Sequence, residues 1–103
     1  MASGTLGQAE LTAGTNTTVY TVPSAKVASV TVNFANKGIS SKWVRLAVAA
    51  SGTPSAAEYL LYEVLLGPYG TLEKSGIVAT AAKNFVAYST GEDVSVNIYG
   101  FEE

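Results

Sequence analysis

The chain has 103 residues, of which 48% are hydrophobic and 14% charged, and a formal net charge of −2. That length fits one domain with a single core, and its six basic residues are scattered, which excludes the concentrated basic face that a phosphate backbone needs. With no Cys and no His, disulfide frames, thiolate zinc sites and the His- or Cys-based nucleophilic triads are excluded as well. The opening Met1-Ala-Ser-Gly-Thr-Leu-Gly-Gln8 lacks the charged and apolar regions of a signal peptide, and no apolar run approaches the ~20 residues that span a membrane as a helix. A charged share this far below the usual ~25% suits a face turned toward another protein. It equally suits the Thr-, Ser-, Val- and Tyr-rich composition of an ordinary β-sandwich.

Residues 1–17 are rich in Gly, Thr, Ala and Ser, with only Leu6, Ala9 and Leu11 to anchor them. They are expected to form a flexible N-terminal arm or an edge strand around Thr5–Leu11. Residues 18–103 are expected to form the β-sandwich domain. Val19-Tyr20-Thr21-Val22 reads as a short strand that ends at Pro23, which cannot donate to a ladder. Val27–Ala35 alternates cleanly, with Ala28, Val30, Val32 and Phe34 on one side and Ser29, Thr31 and Asn33 on the other. Asn36-Lys37-Gly38 closes it with residues that tolerate positive φ.

Trp43–Ala50 predicts the next strand, with Val44, Leu46 and Val48 inward and Arg45, Ala47 and Ala49 outward. Ala56–Leu66 fits both a helix and a dense strand. Its breakers and its β-rich surroundings favour a strand from about Tyr59, preceded by a loop or one helical turn. Thr71–Ala79 is a strand interrupted at Ser75-Gly76, where a bulge is expected. Phe85–Ser89 and Val94–Phe101 complete the set, the latter with Val94, Val96 and Ile98 inward. Seven to eight short strands with turn signals between them predict an all-β, single-domain antiparallel β-sandwich. Periodicity leaves a jelly roll and an immunoglobulin-like order equally open.

Catalytic chemistry finds little footing. Glu92-Asp93 lies in a turn, and nothing in the spacing brings a second carboxylate to it. No metal site and no cofactor are expected, and Gly67-Pro68-Tyr69-Gly70 lacks the Lys-Ser/Thr ending of a phosphate loop. Two aromatics stand out as partner contacts. Trp43 opens a strongly alternating strand and suits core or interface packing; Tyr69 sits between glycines in a loop and suits a protein or glycan contact.

The string Tyr20-Thr-Val-Pro-Ser-Ala-Lys26, the alternating strand to Asn36-Lys-Gly38 and Val44-Arg-Leu-Ala-Val48 resembles small β-sandwich modules of tailed-bacteriophage virions. Glu58-Tyr-Leu-Leu-Tyr62 and Val96-Asn-Ile-Tyr-Gly-Phe101 extend the resemblance, which covers residues 18–101. It implies a non-enzymatic virion structural protein, made in the host cytoplasm. Since the chain runs from Met1 to Glu103 as a free-standing copy, a head decoration (cement) protein on the capsid surface is expected. Its implied partners are the major capsid protein and further copies of itself, as a homotrimer, with neither nucleic acid nor membrane. The alternative is a fibre- or neck-associated tail module or a receptor (glycan)-binding domain. Leu6 and Leu11, the apolar anchors of an arm that adds a strand to a neighbour, join Trp43 and Tyr69 as expected partner contacts.

Overall fold

The computed structural model describes residues 2–103. Eight strands form: β1 (Ala2–Glu10), β2 (Thr17–Thr21), β3 (Ala28–Asn36), β4 (Lys42–Ala49), β5 (Tyr59–Leu66), β6 (Thr71–Ala79), β7 (Asn84–Ser89) and β8 (Val94–Glu102). A single 3₁₀ turn, Ala56–Glu58, precedes β5. One sheet has the order β1-β8-β3-β6 and the other β2-β7-β4-β5, with every pairing antiparallel. Only β4 and β5 are consecutive in one sheet; every other connection crosses to the opposite one. Two such interleaved four-stranded sheets make a jelly roll, which decides between the two orders that periodicity leaves open.

The core forms where the inward sides of the sheets meet. Val30, Val32, Phe34, Val96 and Ile98 from one sheet pack toward Val44, Leu46, Phe85 and Ala87 from the other. β3 shows strict alternation along its whole length, as its sequence predicts. The bulge expected in β6 is present: Val30 pairs with Ile77 but Val32 with Lys74, which sets Ser75 and Gly76 opposite the single residue Thr31. Gly76 takes φ +72°, a region costly for any residue with a Cβ.

The first residues form edge strand β1, paired with β8 from Ala2↔Glu102 to Glu10↔Ser95. The ladder slips between Thr5 and Gly7, and Leu6, at the slip, packs against the core. A Cβ on Gly7 would stand 2.6 Å from the Val19 carbonyl oxygen, so glycine is what lets β1 lie so close to β2. Leu11 follows directly, with its N–H bonded to the Val94 carbonyl and only 2% of its surface exposed.

Asn36, expected as a turn residue with freedom for positive φ, is instead the buried last residue of β3. Its Nδ2 donates to the carbonyls of Ser40, Leu66 and Gly67 at 2.8–3.1 Å, and its Oδ1 accepts the Gly38 N–H at 2.9 Å. One amide thus satisfies backbone groups in two loops and ties the end of β3 to the end of β5 in the opposite sheet. Buried carbonyls need such partners because leaving them unpaired costs ~1–3 kcal/mol each.

Candidate functional site

The outward side of sheet β2-β7-β4-β5 gathers the chain's most distinctive side chains. Leu46 pairs with Leu61 and Val44 with Val64, so two β5 residues, Tyr62 and Glu63, lie opposite the single residue Arg45. This is a β-bulge, and Glu63 carries the φ of +53° that accommodates it. The bulge turns both residues outward and sets them beside the guanidinium. Arg45 Nε donates to Glu63 Oε2 at 2.8 Å, and the guanidinium carbon lies 4.5 Å from the centre of the Tyr62 ring. On the other flank Arg45 pairs with Tyr88 of β7, whose ring centre is 4.2 Å away. A cation held between two aromatic rings is stabilised by both quadrupoles. The hydrogen bond to Glu63 raises the Arg45 pKa further, so the guanidinium stays charged.

Tyr59 extends the cluster. Its ring meets that of Tyr62 edge-to-face, with centres 5.0 Å apart. Ala56, Tyr59 and Tyr62 line a shallow hollow of about 470 Å³. One step along β4, Trp43 pairs with Leu65; Trp43 is 43% exposed and Leu65 58%. Ala47 and Ala49 also alternate outward, yet both are fully buried. The loop between β4 and β5 folds back over this side, bringing Gly52 alongside the Thr18 hydroxyl of β2. Glu58 fastens that loop: its carboxylate accepts the N–H groups of Ser55 at 2.8 Å and Ala50 at 3.0 Å. These two bonds hold its pKa below the usual glutamate value.

The four residues singled out from the sequence as partner contacts do not form one cluster. Leu11 is a core residue, so its side chain is not presented to a partner, and Leu6, half-buried, packs against the core. Both are drawn inward because β1 completes its own sheet. Trp43 lies on the outward face just described. Tyr69 is 70% exposed at the tip of the β5–β6 loop, at φ +56°, with its N–H bonded to the Gly38 carbonyl at 3.2 Å. Its neighbour at that tip, Ile39, is 80% exposed. Sequence reasoning passes over Arg45, Tyr59, Tyr62 and Tyr88. Their signal is the Tyr62-Glu63 pair between inward Leu61 and Val64, a break in alternation that gains meaning only once β5 is paired with β4.

Among the described residues no group of His, Cys, Asp or Glu is arranged to hold a metal ion, and no helix is long and apolar enough to cross a membrane. Fold and surface together define an all-β jelly-roll sandwich with tyrosines clustered around a guanidinium on the outward side of one sheet. Compared with protein-family models and with curated proteins, the chain finds no match.

Proposed function

We propose that the chain is a non-enzymatic structural protein of a tailed-phage virion: a decoration protein that binds the outside of the head shell and stabilises it. The observation that carries this reading is where the motifs of the resemblance fall. Tyr20–Lys26 spans the end of β2 and the turn after it. Val44–Val48, Tyr59–Tyr62 and Val96–Phe101 lie within β4, β5 and β8. The resemblance therefore rests on the elements that build a jelly roll, a fold found in viral capsid and lectin domains. Fold-level likeness alone assigns no function. The low charge and the exposed Ile39 and Tyr69 at one tip add support for a partner contact of apolar character.

The mechanism is avidity. Each copy, as part of a homotrimer, makes modest contacts with the major capsid protein, and their repetition over the shell holds it against internal pressure. A second reading, a tail-associated or receptor-binding module, draws on the outward aromatic cluster.

Copy number separates the two. Particles that encode the chain are purified, and the protein is quantified by mass spectrometry against the major shell protein. On the order of hundreds of copies is the expected result, since avidity requires many sites. A dozen or fewer moves the protein to the neck or tail, and absence from the particle defeats both readings. Sedimentation of the isolated protein tests the trimer.

A further inference from the structure

We propose that the outward face built on Tyr59, Tyr62, Arg45 and Tyr88 is a binding site for a neutral saccharide. This rests on the second reading, giving its aromatic cluster a ligand class, and does not depend on the decoration reading.

Three observations converge. The hollow lined by Ala56, Tyr59 and Tyr62 measures about 470 Å³, within the ~300–1,000 Å³ range of small-molecule sites. Its aromatic walls are rigid. Tyr62 is fixed by the edge-to-face contact with Tyr59 and by the guanidinium stacked on it, yet 57% of its surface remains open. Tyrosine supplies contact area at low entropic cost, with an apolar body and a polar tip.

The polar groups beside the hollow set the ligand's chemistry. Among the described residues, the one side-chain hydrogen bond of Arg45 runs from Nε to Glu63. Its two terminal nitrogens stay available as planar, fixed donors. Glu63 supplies carboxylate oxygens next to them. The cation is already matched by this anion, so the site offers no net positive charge to recruit a phosphate or a carboxylate. What fits is a neutral molecule with an apolar face for a ring and hydroxyls for a donor–acceptor pair. Pyranose sugars have this amphipathic character: axial C–H bonds stack on an aromatic ring while equatorial hydroxyls point sideways.

A second copy of the chain is the competing occupant. The bulge at Tyr62-Glu63 argues against simple edge-to-edge pairing of β5, because it interrupts the ladder groups a neighbouring strand would use. It does so while turning toward solvent the side chains that line the site.

The test uses the full chain, isotopically labelled, titrated with maltohexaose, cellopentaose, chitotetraose and a galacto-oligosaccharide while amide and tyrosine ring signals are followed by NMR. At least one sugar is expected to shift Tyr59, Tyr62, Arg45 and Tyr88 together in a saturable way. Tyr62→Ala, at an exposed position, is expected to keep the fold and weaken that binding at least about tenfold. Arg45→Lys, which keeps the charge but loses the planar fork, should weaken it about threefold or more. Absence of saturable shifts with all four sugars overturns the proposal. So do shifts centred on the polar groove of Gln8, Lys37 and Asn97, or undiminished binding by Tyr62→Ala. If Tyr62→Ala instead dissociates an oligomer that the sugars do not perturb, the face belongs to a second copy and the proposal fails.

Discussion

The two outer faces of the sandwich are built from the same alternation and organise their side chains differently. On sheet β1-β8-β3-β6, Gln8, Asn97 and Asn33 stand side by side across three strands, with Gln8 Nε2 donating to Asn97 Oδ1 at 2.7 Å. Tyr99 adds a hydroxyl that donates to Glu73 at 2.6 Å; this bond, first among the causes, raises the tyrosine's pKa. Gln8 and Asn97 meet in register, whereas Tyr99 reaches Glu73 diagonally across β3. On sheet β2-β7-β4-β5, the register of β5 slips twice, at Leu60 and at Tyr62-Glu63, and the second slip crowds two side chains against Arg45. Both sheets carry bulges, at Leu6 and Ser75-Gly76 in one and at Tyr62-Glu63 in the other. Where the ladder stays in register, as at Gln8, Asn97 and Asn33, it yields cross-strand polar pairs, and the bulge opposite Arg45 yields a cluster with groups left to offer.

The largest expected effect comes from the foundation that both faces share. Asn36→Ala strips one N–H and three carbonyls of their partner and should destabilise the chain by about 3 kcal/mol. Urea denaturation followed by Trp43 fluorescence measures it. A loss under ~1 kcal/mol would show that the two sheets do not depend on this junction.

Removing the centre of each face sharpens the contrast. Arg45→Ala takes away two ring contacts, an ion pair and a packed aliphatic stem, and should cost about 1–2 kcal/mol. Asn97→Ala removes one exposed side-chain hydrogen bond and should cost about 0.5 kcal/mol. Equal losses in the same denaturation experiment would erase the energetic difference between a clustered and a laddered face.

The smallest effect is a local one, driven by acid. Glu58 has a folded pKa below its unfolded value, held down by the Ser55 and Ala50 N–H groups. Its contribution is therefore complete above that value and fades as pH falls through the depressed folded pKa. The amide signals of Ala50 and Ser55 should titrate together in that acidic window. A Glu58→Gln variant in which Ala50 and Ser55 titrate just as before would separate the loop from this carboxylate.

Much of the fold is legible because β-strands announce themselves by period. β3 and β8 alternate without error, and the Ser75-Gly76 interruption marks a bulge before any pairing is known. The start of β5 at Tyr59 is legible too, from the breakers before it, while a loop and a helical turn fit the preceding residues equally and the structure shows the turn. β1 is harder: its Gly, Thr and Ala residues carry no period, and its partner β8 lies some ninety positions away. Leu11 has the same difficulty, since a lone leucine in a polar stretch looks like an external anchor until the opposing core is assembled. The aromatic face is the least legible part. Arg45, Tyr62 and Tyr88 come from three strands, and only strand order and the slip at Glu63 bring them together.

The Asn36 junction has a mechanical consequence. Its hydrogen bonds reach the loops that carry Ile39 and Tyr69 at the tip, and they span from one sheet to the other. A tug on that tip would not peel a single hairpin open one bond at a time. The load would enter both sheets at once and spread along their strands in shear, the direction in which many backbone bonds resist together.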